Sequence, residues 1–422
     1  MFSPKGNRNR LMYLLVVLVA LSLVVSACAP KATPAPEPTK APVAAPTTAP
    51  VVEPTKAPAV EPTKAPAAAP TAAPAAEPTK APVAADLGNP DKLVRSLDVK
   101  NLPAGWKVPP VVGHVTNYLM HEWYQNETKG EAARAKDYPM QFSINDANLE
   151  LQKSLAAVDD YLSKKTDAIV FTPVVDEASA PTIKKAVAAG MPIICEGNPT
   201  AGCLTLVAID DYMAGVQVGI WAGNYVKDNL GGKATVLDIG LPGLAAGVKR
   251  SQGFIDGMKT IVPDLKRVEV NGKGLKDEAI KVSADALTAN PDTNVIFGIN
   301  DDSALGGLQS FGAAGLDPSK LLVVGFGCEG KACKNALMEG GPYKVSAAMF
   351  PEYQGRLLMD SLVAAYNGVK LPEKVTAPTL PVTKDNLSQY YTKEGDNWTP
   401  NFEATGKLPY GDALKKELNW TK

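Results

Sequence analysis

Between residues 30 and 82 a proline falls at every fourth position, fourteen times in succession, and this spacing rules out regular secondary structure there. Each ring removes a backbone donor and clashes with the preceding turn of a helix. It also drives the residue before it toward extended backbone. Glu-Pro-Thr-Lys-Ala-Pro recurs from Glu37, Glu53, Glu61 and Glu77. The intervening apolar residues are almost all Ala and Val, too small to bury a core that offsets the entropy of ordering. The tract therefore reads as a polyproline II stalk. About 55 residues at ~3.1 Å each would reach on the order of 170 Å. A partner that docks on proline motifs is the competing reading of the same residues.

Ahead of the stalk, Lys5, Arg8 and Arg10 precede the apolar run Leu11–Val25. A basic start followed by an apolar stretch too short to span a bilayer comfortably is the pattern of a secretory signal. It ends in Val25-Ser26-Ala27-Cys28, which resembles the bacterial lipobox, with Cys28 as the lipidated residue. An uncleaved membrane anchor is the alternative. Residues 1–27 are expected to be a lipoprotein signal peptide and 28–90 a Pro/Ala/Thr-rich linker. Acyl chains on Cys28, at roughly 0.8 kcal/mol per buried CH₂, would tether the exported protein to the membrane.

The charge balance, 43 Lys+Arg against 44 Asp+Glu, leaves no basic excess for a nucleic-acid partner. His114 and His121 are the only histidines, which excludes a multi-His metal site. No nucleophile–base pair stands out, so no catalytic residue, metal or cofactor is expected. From about Leu93 the pattern changes to β-branched runs separated by helical stretches. Strands are predicted at Val111–Thr116, Met140–Ser143, Ala168–Thr172, Pro192–Cys195 and Leu206–Ile209. Five more are predicted at Ala234–Ile239, Lys266–Val270, Asn294–Gly298, Leu321–Gly325 and Lys344–Ala348. Such alternation predicts parallel sheets covered by helices, and ten strands suggest two sheets. Ligands of open α/β sheets bind beyond the carboxyl ends of the strands.

Thr166–Ile194, Asn290–Gly315, Val323–Gly327 and Pro381–Tyr391 resemble the sugar-binding branch of the type I periplasmic binding proteins, the ribose-binding group of ABC importers. The resemblance runs from about Val111 to Tyr391. It implies an α/β fold of two Rossmann-like lobes with parallel sheets, joined by a three-crossover hinge. A binding domain at 91–391 would divide into lobe one (about 111–210 and 349–378) and lobe two (about 211–348 and 379–384). A C-terminal extension would follow at 392–422. Asp210-Asp211 would form the first hinge, with a ligand enclosed by closure.

Sugars offer hydroxyl edges and C–H faces, so their sites combine aromatic plates with side chains that donate and accept. The loop after the first strand supplies Asn117, His121, Trp123 and Tyr124. The resemblance places a polar residue at His121 and an aromatic pair at Trp123 and Tyr124, although both rings would also suit a helix core. It places a ligand-binding amide at Asn300, beside Asp302, where helix capping is the simpler use of an Asx residue. Glu196 and Asn198 stand where sugar binders often carry Asp-Arg. Gly327 occupies the position of an acidic ligand residue, with Glu329 two residues later. Val248 occupies that of an Arg, with Arg250 nearby. Phe350 completes the candidate ligand-binding set. These departures leave the solute's identity open.

Four cysteines remain beyond Cys28, and an even number in an exported domain favours disulfides. Cys195–Cys203 with Cys328–Cys333 is the expected pairing, because each closes a short loop. Gly325–Gly330 fits G-x-G-x-x-G, but it lies far from the first βαβ unit of the domain, where a dinucleotide site is built. The tail carries Trp398, Phe402, Tyr410 and Trp420, too aromatic for a disordered end. The resemblance thus implies a monomeric solute receptor, binding a sugar or similar polyol and serving an ABC permease. A sensor presenting its closed form to a membrane receptor is the alternative.

Overall fold

The computed structural model describes residues 89–421 apart from residue 396, so the export signal, Cys28 and the proline tract lie outside the described residues. A short helix α1 (Pro90–Ser96) precedes β1 (Val111–Thr116), α2 (Glu122–Asp137), β2 (Gln141–Asp146) and α3 (Leu151–Ser163). Next come β3 (Ala168–Phe171), α4 (Asp176–Ala188), β4 (Ile193–Glu196) and β5 (Leu206–Ile209). These strands, joined by β11 (Lys374–Ala377), form a six-stranded sheet in the order β11-β5-β4-β3-β1-β2.

The chain then enters α5 (Asp211–Asn229), β6 (Thr235–Gly240), α6 (Ala245–Lys259), β7 (Lys266–Asn271) and α7 (Lys276–Ala289). It continues through β8 (Val295–Gly298), α8 (Asp301–Ala313), β9 (Leu322–Gly327), α9 (Lys331–Glu339) and β10 (Tyr343–Ala348). Helix α10 (Pro351–Tyr366) returns it to the first lobe, where β11 (Lys374–Ala377) pairs in parallel with β5. Strand β12 (Leu380–Thr383) crosses back and pairs antiparallel with β10. The second sheet is thus β12-β10-β9-β8-β6-β7, and the chain crosses between lobes after β5, β10 and β11.

Burial explains which runs become central strands. In β3, β4, β8 and β9 every residue is buried, as in a parallel sheet covered on both faces. By contrast β2 (QFSIND) and β7 (KRVEVN) are polar and partly exposed, and each lies at a sheet edge. Lobe two's α5 and α6 pack backbone to backbone. A Cβ on Gly253 or Gly257 would strike the carbonyls of Tyr212 and Val216.

The tail forms a short helix α11 (Leu387–Tyr390), the hairpin β13 (Tyr391–Glu394) and β14 (Asn397–Pro400), and helices α12 (Phe402–Gly406) and α13 (Gly411–Glu417). Phe402 lies beside Tyr353 of α10, with ring centroids 6.5 Å apart. Leu414 is buried with Met213 and Val216 of α5, and Trp420 lies 6.2 Å from Tyr212. The tail therefore rests on helices of both lobes.

Candidate functional site

A cavity of about 460 Å³ opens where the carboxyl ends of both sheets face each other. The β1–α2 loop brings Asn117, Tyr118 and His121 to its wall, the first turn of α2 adds Trp123 and Tyr124, and β4 ends in Glu196 with Asn198 close behind. From lobe two come Arg250, Lys273, Asn300 and Glu329, with Leu241, Leu244, Leu275 and Ile299 as apolar surface. Met349 and Gln354 enter from the β10–α10 crossover.

Local chemistry fixes several of these side chains. His121 is the N-cap of α2, its Nδ1 accepting from the Trp123 amide at 3.2 Å. Burial holds the His121 pKa below its ordinary value. Trp123 lines the cavity yet is only 9% exposed and belongs to the main apolar core, so it packs and faces ligand at once. Asn300 also lines the cavity, but both ends of its amide are engaged. Oδ1 accepts from the Ser303 amide at 2.9 Å and caps α8, while Nδ2 donates to the Gly274 carbonyl at 2.9 Å.

Arg250 donates to Asp211 at 2.8 Å and to the Ile299 carbonyl at 3.1 Å, above the Phe326 ring. It reaches the cavity from α6, whereas Val248 points to solvent and is 48% exposed. Asp302 is exposed on α8 and does not line the cavity. Phe350 does not line it either. It is buried at φ +51° against Tyr390 and Tyr391, where it packs the crossover into α10.

Behind the lobe-one wall lies a buried polar network. His114 bridges Glu131 through Nδ1 (2.8 Å) and the Thr172 hydroxyl through Nε2 (2.8 Å). Thr172 donates to Glu196 at 3.0 Å, and Gln354 Nε2 donates to both Glu127 (3.0 Å) and Glu196 (2.9 Å). Burial pushes Glu196 up to about 7, against the pull of His114 and the Thr172 hydroxyl. Burial, then the neighbouring carboxyls of Glu196 and Glu131, lift Glu127 well above the usual carboxylate range.

On lobe two, Gly327 has φ +115° and Cys328 φ +46°, both in the region that favours glycine. This turn folds Glu329 back so that a Cβ on Gly327 would collide with its carboxylate. The Glu329 carboxylate therefore occupies the space beside position 327. Burial, then Asp301, pushes Glu329 up to about 8, opposed by Arg250 and Lys334. Asn126 of α2 donates to the Glu329 carbonyl at 2.7 Å and links the lobes beside the cavity.

Cys195, at the end of β4, is bonded to Cys203, and the pair brackets Gly197 and Asn198 of the cavity wall. The expected Cys328–Cys333 bridge is absent. These are buried free thiols with sulfurs 2.7 Å apart, beyond the ~2.05 Å of a disulfide. Cys328 sits in the left-handed turn and Cys333 in the first turn of α9, and their sulfurs face each other. Among the described residues no cluster of His, Cys, Asp and Glu suits a metal ion.

Sequence reasoning missed Tyr118, Lys273, Gln354 and the apolar wall. Gln354 is separated from Glu196 by 158 residues, so no local motif joins them. The β6–α6 and β7–α7 loops follow recognised strands, a signal that could have found Leu241, Lys273 and Leu275.

Residues 112–370 match the periplasmic binding protein domain family. The ribose import binding protein RbsB of Bacillus subtilis is 28% identical over 282 residues, which is 65% of this chain and 88% of the relative. The galactofuranose-binding protein YtfQ of Escherichia coli is 25% identical over 264 residues, 60% of this chain and 81% of the relative. A periplasmic solute-binding protein from Actinobacillus succinogenes with bound D-allose superposes with TM-score 0.61 at 24% identity, covering 67% of this chain and all of its own. An ABC transporter solute-binding protein from Bacillus halodurans with bound myo-inositol gives 0.58 at 22% identity, covering 68% of this chain and 98% of its own. With its two crossed-over, mainly parallel sheets and a cleft at their carboxyl ends, the chain belongs to the periplasmic binding protein domain family.

Proposed function

We propose that this protein is an extracytoplasmic, lipid-anchored solute receptor that closes on a sugar or similar polyol and delivers it to the permease of an ABC importer. The observation that carries the reading is the interlobe cavity. Indole and phenol rings from the β1–α2 junction stand among carboxylate and amide side chains from both lobes. That mixture suits a molecule with apolar C–H faces and a hydroxyl edge. Relatives named for ribose import and galactofuranose binding support the solute class.

In this reading Cys28 carries the acyl anchor and the proline tract is the stalk that lifts a monomeric receptor from the membrane. The lobe limits that go with it are 111–210 with 349–378, and 211–348 with 379–384. The test is a thermal-shift screen of pentoses, hexoses, alditols and inositols on the mature protein. A true ligand at a hundredfold excess over Kd stabilises the folded state by about 2.7 kcal/mol. Silence across the whole screen would overturn the solute class.

A further inference from the structure

The cavity is unbalanced in two respects. The first is hydrogen bonding. Among the described residues, the buried side-chain atoms of the cavity wall left without a partner are all acceptors: Asn117 Oδ1, Glu329 Oε2 and Gln354 Oε1. Glu127 Oε2 and Glu131 Oε1, in the network behind Glu196, are unpartnered acceptors as well. Glu329 is 9% exposed and Gln354 1%, so water reaches neither freely. A buried acceptor left unmet costs free energy, and a ligand rich in donors recovers it.

The second is charge. Glu196 accepts from the neutral donors Thr172 and Gln354 and has no ion pair among the described residues. Glu329 likewise has no direct cationic partner. Lys334 spends its ammonium on the Glu329 carbonyl (3.1 Å) and the Tyr391 ring, not on the carboxylate. Arg250 is paired with Asp211, and Lys273 lies 3.2 Å from Glu278. Lobe one therefore presents Glu196, backed by Glu127 and Glu131 with His114 as the one basic side chain bonded into that network. Lobe two presents Glu329, with Asp301 behind it.

Resting on the reading of this cleft as a solute site, we infer that it takes a polyol bearing a protonated amine, an amino sugar or amino alditol. The ammonium would be held between Glu196 of one lobe and Glu329 of the other. An ammonium brings three donors and a positive charge and accepts nothing, which answers both imbalances together. A neutral sugar would meet the acceptors only by orienting hydroxyls, whereas an ammonium would also draw both carboxyls into their charged form. The leucine walls and the Trp123 ring would take the C–H faces of such a solute. Because one carboxylate comes from each lobe, the amine would also favour the closed arrangement.

The test compares glucosamine, galactosamine, mannosamine and glucamine with their parent hexoses or glucitol, and with the N-acetyl derivatives, by calorimetric titration of the mature protein at neutral pH. At least one amine should bind tenfold or more tighter than both of its neutral counterparts. Glu329→Gln and Glu196→Gln, each checked for an intact melting transition, should each erase most of that preference. Binding of a parent sugar as tightly as its amine would overturn the inference and leave the solute-receptor reading standing. An amine preference unchanged in both variants would overturn the inference too, by placing the ammonium elsewhere. Absence of binding by every amine and every neutral polyol would sink both readings.

Discussion

The Trp123 indole has so little exposed surface that replacing it removes core as well as ligand contact. Trp123→Ala should cost about 3–5 kcal/mol of stability, the range for deleting a large buried aromatic, read as a lower urea midpoint. Trp123→Phe should keep most of that stability and still weaken ligand binding. An unshifted midpoint in the Ala variant would mean that the core does not depend on the indole. The carboxyls beside it carry a pH signature. Glu196, faced by Thr172, Gln354 and His114, is pushed up to about 7, and Glu329, faced by Asp301, Arg250 and Lys334, to about 8. Raised folded pKa values mean that the folded state binds more protons than the unfolded one between the ordinary carboxylate value and these. Ligand-free stability should therefore be fullest near pH 5 and fall by on the order of 1–3 kcal/mol by pH 8. The lowered pKa of His121 acts in the opposite direction and offsets part of this. Melting curves from pH 5 to 8 check the sign.

At the scale of elements, the strand–loop–helix joints were legible because the central strands are short, mostly apolar and β-branched runs. Strands β1 and β5 stand at the residues their composition indicates. Strand β11 was not, because Lys374–Ala377 is four residues long and only alternately buried, and it is recruited by pairing with β5 rather than by its own propensity. Site residues were legible where a single loop concentrates them, as at Asn117–Tyr124. They were illegible where folding joins residues far apart in the chain, as when Gln354 of α10 donates to Glu196 at the end of β4. The cysteines show the same limit, since an even count states nothing about geometry. Peptide mapping without reductant should recover Cys195 joined to Cys203 and find Cys328 and Cys333 alkylated after denaturation. Cys203→Ser should cost about 2–3 kcal/mol through the loop it reopens. It should also weaken ligand binding, because Gly197 and Asn198 lie within that loop. A Cys328–Cys333 peptide in the same digest would contradict the thiol assignment.

For the whole molecule, what matters is that one continuous tail is fastened to both lobes. Phe402 lies against Tyr353 and beneath Arg356 of α10, the helix that packs on lobe one. A few residues on, Leu414 and Leu418 close over Met213 and Val216 of α5 in lobe two. Between these points Tyr410 stacks under Arg95, whose guanidinium also donates to the Thr376 carbonyl in β11, next to the last crossover. A hinge closed by three crossovers is free to open about them. A segment anchored on each side limits how far the lobes swing, because opening must first break one of its attachments. Removing residues 402–422 should therefore widen the ligand-free protein, seen as a larger radius of gyration by small-angle scattering. It should also lower the melting temperature, since Met213 and Val216 lose the apolar cover of Leu414. Ligand should restore compactness in the truncated protein at a higher concentration than in the intact one, because closure must now recover freedom that the tail had already removed. An unchanged radius of gyration together with an unchanged ligand affinity would show that the tail only covers apolar surface and does not restrain the hinge.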